Sequence, residues 1–303
     1  MNTLVLHLQS RSILFTVIDR VKKLPSEPKP GTLYIVGTPI GNLEDITFRA
    51  VRILQAVDAI AAEDTRHTGK LLHHFQITTP QISYHEHNRM TRTGELVERL
   101  QQGQAIALVS DAGMPGISDP GYELVKACVE VGLTVVPIPG CSAVVAALIA
   151  SGLPSDRFVF EGFLPAKPKD RRAHLERLNS ETRTLVFYEA PHRLRQTLQD
   201  LGVLGGDRAI VLARELTKLH EEFWRGTIAE AIDHYRDREP MGEFTLVLAG
   251  AELNPLLLSD DALKAELQTL INQGISRSEA SRQLAQQTAL PRRQIYQLAL
   301  SLP

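Results

Sequence analysis

AIALVSDAGMPGISDPG, Ala105 to Gly121, decides the fold: five small apolar residues run straight into a loop that carries Gly113, Gly116, Gly121 and the two aspartates Asp111 and Asp119. An apolar strand that breaks into such a loop places a ligand-binding turn where open α/β sheets collect their ligands, at the carboxyl ends of the strands. The glycines let the backbone turn tightly and approach a ligand closely. The aspartates can accept hydrogen bonds from ribose hydroxyls or from neighbouring N–H groups. Taken alone, the loop is equally a glycine-rich chain reversal. Its surroundings tip the balance.

On either side of this stretch the chain alternates apolar strand and amphipathic helix. TLYIVG is followed by ITFRAVRILQAV, then AIAAED, then a polar helix ending near His74. ISYH, the helix TGELVERLQQG, AIALVS, the helix GYELVKACVEVG and TVVPIPG complete the run. Five strands joined by helices predict a parallel sheet. After the small-residue helix SAVVAALIASG the texture changes to RFVFEGFL, TLVFYEA, AIVLARE, EEFWRGT and EFTLVLAG, with fewer helices between them. That spacing predicts a mixed sheet with antiparallel pairs, and a boundary near Ser142 to Leu153. The last fifty residues hold helical segments, ISRSEASRQLAQQTAL and PRRQIYQLALSL, whose length and Ala/Leu spacing suit a helix-turn-helix or a small docking hairpin, with Pro291 in the first turn of the second. The expected organisation is therefore a flexible extension over 1–30, an α/β domain over 31–145, a mixed α/β domain over 146–252 and a helical, helix-turn-helix-like module over 253–303.

Composition narrows the class. At 303 residues, 43% hydrophobic and 22% charged, the chain can bury a sizeable core. Its longest small-apolar run, Ala143 to Leu153, falls far short of the roughly 20 residues that span a bilayer. Residues 1–20 have no basic run ahead of an apolar core and no small-residue cleavage site, so a soluble, cytoplasmic protein without a signal peptide is expected. Cys128 in a helical run and Cys141 in a turn make neither a disulfide framework nor a zinc cluster. A net charge of −2 gives no global pull toward nucleic acid. An RNA partner would have to be held by local basic clusters: KPKDRR at Lys167 to Arg172, Arg89 and Arg92 beside His85 and His87, and Arg277, Arg282, Arg292 and Arg293. Solvated surface is the competing reading of each cluster.

Four segments sit at strand ends where ligand loops belong: GTPIGNLEDIT at Gly37 to Thr47, AEDTRHT at Ala62 to Thr68, SDAGMPGISDPG, and PIPGCSA at Pro137 to Ala143. Together with APHRL, ARELTKLHEEFWRGT and GEFTLVLAG, they resemble the tetrapyrrole methylase superfamily from about Gly31 to Gly250. Within it they resemble the branch that 2′-O-methylates a cytidine in the decoding region of 16S ribosomal RNA. GTPIGN departs from the GxGPG form of the precorrin methylases, which favours the RNA-modifying branch. The C-terminal segment resembles the helical module of that branch, and residues 1–29 match nothing in it.

The resemblance implies a two-domain α/β fold that binds S-adenosylmethionine in the cleft between the domains, commonly as a homodimer, with 16S rRNA in the 30S subunit as partner and no metal. Cofactor positions carried over from the motifs are Pro39, Gly41, Asp111, Ala112, Gly113, Met114, Ile117, Ser118, Ser142, Ala143, Tyr188, Ala213 and Gly242. A sulfonium flanked by adenosine and methionine ends needs backbone carbonyls, an apolar slot and few charges, which small residues and loop backbone supply. For Tyr188 and Ala213, ordinary strand packing is the competing reading.

Methyl transfer to a ribose 2′-oxygen is an in-line displacement that gains most from alignment. Candidates for deprotonating the hydroxyl or gripping RNA are Glu63, Asp64 and Arg66, then His85 and Asn88, then Arg214, Glu215 and Lys218, with EDTR preferred and Lys218 kept beside it. An ion pair between Glu63 and Arg66 that braces the sheet edge is the competing reading. His85 and His87 without a third ligand read as surface polar groups. Two other functions stay open on the sequence: C-methylation of a tetrapyrrole, and ribosome binding without chemistry.

Overall fold

The computed structural model describes residues 27–252, 259–288 and 290–302. The extension expected to be flexible falls mostly outside them. Its last part is tethered: Glu27 accepts hydrogen bonds from Arg49 at 2.7 and 3.2 Å and from Arg52 at 3.1 Å, and the Lys29 N–H donates to the Tyr34 hydroxyl at 2.8 Å. Tertiary contacts thus reach back into the stretch that the proline content of VKKLPSEPKP marks as a flexible lead.

The chain forms two compact units. One runs to Ala146 and takes in Glu215–His220; the other comprises Ala147–Arg214 and the chain from Glu221 onward.

The first unit is a five-stranded, wholly parallel sheet in the order β3-β2-β4-β1-β5. Its strands are β1 (Thr32–Val36), β2 (Ala59–Ala62), β3 (Gln81–Ser83), β4 (Ile106–Val109) and β5 (Thr134–Ile138). Four helices join them: α1 (Phe48–Ala56), α2 (Thr65–His74), α3 (Arg89–Gln101) and α4 (Tyr122–Glu130). Alternate residues of β1, β2 and β4 enter different cores. Tyr34, Val36, Ile60, Ala107 and Val109 pack with Ile53 and Leu54 of α1 and Leu72 of α2. Leu33, Ile35, Ala61, Ile106 and Leu108 pack with Leu96 and Leu100 of α3 and Leu124 and Cys128 of α4. Burial on both faces is why these strands read as unbroken apolar runs. α1 and α2 start at side-chain caps: Thr47 accepts the Ala50 N–H at 3.0 Å, and Asp64 the Arg66 N–H at 2.8 Å. α3 starts several residues before the TGELVERLQQG expected from the sequence. Arg89 and Arg92 therefore lie on a helix, where they pair with Glu86, Glu123 and Glu95.

α5 (Ala143–Ser151) carries the chain to the second unit's mixed sheet, order β6-β7-β10-β8-β9. Its strands are β6 (Phe158–Phe163), β7 (Thr184–Glu189), β8 (Ala209–Arg214), β9 (Glu222–Thr227) and β10 (Phe244–Leu248). β6 and β7 are parallel; the other pairs are antiparallel. Helices α6 (Pro168–Leu178), α7 (Pro191–Leu201) and α8 (Ile228–His234) share one core with Leu185, Phe187, Ile210, Leu212, Leu246 and Leu248. Strand alternation then sends Tyr188 and Ala213 to the opposite face.

Among the described residues the tail holds three helices, α9 (Asp260–Asn272), α10 (Arg277–Gln287) and α11 (Arg292–Leu300), closed around Leu267, Ala280, Leu284, Ile295 and Ala299. Pro291 stands one place earlier than expected, at the N-cap of α11 instead of within its first turn.

Candidate functional site

In the first unit, the loops after β1, β4 and β5 are tied together by backbone. Thr38 and Gly113 form an antiparallel bridge, with Thr38 N–H donating to Gly113 at 2.9 Å and Gly113 N–H to Thr38 at 3.1 Å. The Thr38 hydroxyl donates to the Ser110 carbonyl at 3.2 Å. The Gly37 N–H donates to the Ile138 carbonyl at 3.2 Å, and the two chains then cross so closely that a Cβ on Gly140 would stand 2.7 Å from the Gly37 Cα. Glycine is required at both places because a side chain at either would strike backbone.

These contacts gather the cofactor candidates of this unit at the carboxyl ends of adjacent strands. Pro39 and Gly113 are buried, whereas Ala112, Ile117 and Ser118 stand exposed on the glycine loop. Ser118 has φ +62°, a left-handed backbone that a non-glycine residue adopts at a cost. Met114 lies against Gly37, its Sδ 2.6 Å from where a Cβ on that glycine would be. The Ser142 hydroxyl accepts the Val145 N–H at 3.4 Å directly ahead of Ala143, the first residue of α5. Beside them is a shallow cavity of about 450 Å³, lined by Ile40, Asp45, Thr47, Cys141, Ser142 and Thr217 among others.

A carboxylate cluster sits next to this. The Asp111 N–H donates to Glu63 Oε2 at 3.3 Å, and Asp111 Oδ1 accepts the Asp64 N–H at 3.1 Å. Burial raises the Glu63 carboxyl above its usual range; the Asp111 N–H pulls it back, and the charges of Asp111 and Asp64 push it further up. Burial likewise pushes Asp119 up to about 6, with the Glu63 charge adding to it and the Ser110 hydroxyl opposing. Asp119 belongs to the quoted loop, where the sequence marks it with Asp111 as a hydrogen-bond acceptor for a ribose hydroxyl or a neighbouring N–H; the fold adds its burial beside Glu63.

The structure separates the other catalytic candidates. Arg66 pairs with Asp64, not with Glu63, through hydrogen bonds at 2.7 and 3.1 Å, which corrects the brace expected between Glu63 and Arg66. That guanidinium holds the Asp64 carboxyl well below the usual carboxylate range. Arg66 itself is 89% exposed. Asn88 is occupied locally, accepting the His85 N–H at 2.8 Å and donating to the Ser83 carbonyl at 3.2 Å. Lys218 pairs with Glu215 at 3.0 Å, and Arg214 donates to the Met241 carbonyl at 2.6 Å and pairs with Glu222 at 3.2 Å.

In the second unit, Tyr188 and Ala213 are both register partners of Thr245, so they flank it on one face of the sheet. Tyr188 packs edge-on to Phe160 at 5.0 Å, and Gly242 turns the chain just ahead of β10. The basic clusters are largely engaged: Arg171 is buried against Asp200 at 2.6 Å, Arg282 pairs with Glu279, and Arg292 donates to the Ser278 hydroxyl. Among the described residues, no group of three or more His, Cys, Asp or Glu side chains is placed to hold a metal ion. Among the same residues, no helix is long and apolar enough to cross a membrane.

Known proteins match this arrangement. The sequence signature of the tetrapyrrole (corrin/porphyrin) methylases covers residues 32–232. A Synechocystis protein named ribosomal RNA small subunit methyltransferase I is 62% identical over 275 residues, 90% of this chain and 98% of its own length. A Bacillus subtilis protein of the same name is 46% identical over 271 residues, 88% of this chain and 93% of its own. Among solved structures, the methyltransferase CobJ superposes with a TM-score of 0.56 at 17% identity, over 73% of this chain and 95% of its own, which speaks to fold. The chain belongs to the tetrapyrrole (corrin/porphyrin) methylase family, in the group of relatives named ribosomal RNA small subunit methyltransferase I.

Proposed function

We propose that this protein transfers a methyl group from S-adenosylmethionine to ribosomal RNA, and that the acceptor is the ribose 2′-hydroxyl of a cytidine in the decoding region of 16S rRNA within the 30S subunit. The observation that carries the reading is the stitching of three motif loops at the carboxyl ends of adjacent strands, in a chain that matches over nine-tenths of its length a relative named for small-subunit rRNA.

The residues present fit the cofactor. Backbone of the glycine loop, the close Gly37–Gly140 crossing and small side chains at Ala112, Ser142 and Ala143 leave room and carbonyl oxygens for a sulfonium-bearing ligand. Pro39, Gly41, Asp111, Gly113, Met114, Ile117 and Ser118 complete that set, with Tyr188, Ala213 and Gly242 as the further cofactor positions. When bound there, S-adenosylmethionine would supply an electrophilic methyl on its sulfonium sulfur, and these residues would hold it toward the 2′-oxygen.

This chain's own residues align the hydroxyl and accept its proton. Glu63 is the proton acceptor we favour, because burial among carboxylates gives it a stronger affinity for a proton than Asp64, which Arg66 holds ionised. Arg66, exposed beside it, is the phosphate contact, and Lys218 the second. The protein acts in the cytoplasm as a homodimer; exposed Val145 and Ile149 on the apolar helix α5 support that assembly.

The test is transfer of labelled methyl from S-adenosylmethionine to 30S subunits of a strain lacking the enzyme, followed by nucleoside identification. 2′-O-Methylcytidine is the expected product. Incorporation into a tetrapyrrole instead, or cofactor binding with no transfer, would overturn the reading.

A further inference from the structure

Two residues of the segment Glu215–His220 have left-handed backbones: Glu215 at φ +50° and Thr217 at φ +66°. For a β-branched residue this region is a genuine outlier, where glycine or asparagine would sit far more comfortably. Such a conformation persists only when its surroundings over-determine it, and it concentrates where a ligand is held.

The surroundings here are specific. The Thr217 Oγ1 accepts the Asn42 N–H at 3.0 Å. Gly41 lies so close that a Cβ there would stand 2.7 Å from the same Oγ1 and 2.4 Å from Lys218 Cγ. The Lys218 N–H returns to the Glu215 carbonyl at 3.0 Å and its Nζ to Glu215 Oε1 at 3.0 Å, closing the turn on which Thr217 rides. Leu216, inside that turn, is buried. Thr217 and Ile40 both line the cavity beside Ser142.

We propose that Thr217 is a positioning residue that clamps the Pro39–Asn42 loop in its cofactor-binding form. The inference rests on the reading of that loop as part of the S-adenosylmethionine site. The left-handed backbone aims Oγ1 at the Asn42 N–H; a relaxed backbone at this position would carry the hydroxyl elsewhere.

Three variants test it by direct titration of the purified full chain with S-adenosylmethionine, thermal melting and steady-state kinetics. Thr217→Gly removes both strain and acceptor; the relieved strain is a thermal gain that offsets the lost hydrogen bond and the added freedom of the unfolded chain, so its melting temperature stays close to that of the wild type while the cofactor Kd rises about tenfold. KM for the cofactor rises by the same factor, and kcat at saturation stays within about twofold. Thr217→Ala loses the same affinity without the thermal gain. Thr217→Ser keeps Oγ1 and binds within about twofold of wild type. A merely structural threonine would instead lose stability and affinity together. Wild-type affinity in Thr217→Gly, or no rescue by Thr217→Ser, overturns the inference while leaving the site reading intact. A folded wild type that binds no S-adenosylmethionine overturns that reading itself, and the inference with it.

Discussion

Asp111 and Glu63 are joined across the ends of β4 and β2: the Asp111 backbone N–H donates to Glu63 Oε2 at 3.3 Å, while the Asp111 carboxylate accepts the next residue's N–H, that of Asp64, at 3.1 Å. One aspartate therefore fixes the glycine loop to the segment that carries the favoured proton acceptor. The bonds run between neighbouring parallel strands, so neither loop can shift without the other.

Replacing Asp111 by alanine leaves the Asp64 N–H without its acceptor and removes one of the two bonds between the loops, the backbone bond to Glu63 remaining. A loss of about 1–2 kcal/mol in unfolding free energy is expected. Methyl transfer should fall by more than about tenfold, because misalignment costs rate steeply. Denaturant melts and single-turnover transfer to 30S subunits measure the two effects, and Asp111→Asn, which keeps an acceptor, should fall between wild type and Asp111→Ala in both.

The raised carboxyl of Asp119 makes stability depend on pH in a definite direction. Its ordinary value is 3.8 and burial carries it to about 6, so the folded chain binds a proton that the unfolded chain has released between those values. Its contribution is fully favourable below the lower value and is lost as pH rises through the upper one. Asp119→Asn removes the charge, so it should stabilise the protein by about 1–2 kcal/mol at pH 7.5, and the gain should vanish toward pH 4. Thermal melts of both proteins across that range decide it; a gain that grows toward acid would reverse the assignment.

The Gly37–Gly140 crossing leaves no room for a methyl group. Gly140→Ala would place Cβ 2.7 Å from Gly37 Cα and 2.8 Å from its carbonyl carbon, and backbone cannot move aside as a flexible side chain does. A destabilisation of about 2–3 kcal/mol is expected, with a fall of roughly 5–10 °C in melting temperature. Gly94, inside α3, is the control, because a Cβ added there would meet nothing within 4 Å. Gly94→Ala should raise stability by up to about 1 kcal/mol.

Much of this was legible because burial and periodicity leave marks in the sequence. The doubly buried strands of the parallel sheet read as apolar runs, the antiparallel pairs of the second sheet followed from spacing, and the motif loops were legible through family resemblance. Pairings over long separations left no such mark. Arg66 takes Asp64, which caps α2, and Glu63 is left to Asp111, a pairing that spans two strands. Thr217 was invisible for another reason: a threonine announces an extended backbone, and only tertiary contact forces the left-handed one. Asp119 is legible in the sequence as a hydrogen-bond acceptor of the glycine loop, but its burial beside Glu63 is not, because it depends on pairing across the fold.

The KPKDRR cluster shows how charge read from sequence divides once folded. Arg171 is 3% exposed; its guanidinium meets Asp200 at 2.6 and 2.7 Å and donates to the carbonyls of Pro165 and Ala166 at 3.3 and 3.1 Å. Lys167 and Lys169, on the same short run, are exposed. Arg171→Ala strands the equally buried Asp200 with Arg172 as its remaining cation, and should cost about 3–5 kcal/mol of stability. Lys167→Ala with Lys169→Ala should leave stability within about 0.5 kcal/mol. If these lysines contact phosphate, the double variant lowers affinity for 16S rRNA and flattens the slope of log affinity against log salt by about one per lysine. An unchanged slope would confine RNA binding to other cations, with Arg66 the first to examine by the same titration, since its exposure leaves it free to reach a phosphate while still ion-paired to Asp64.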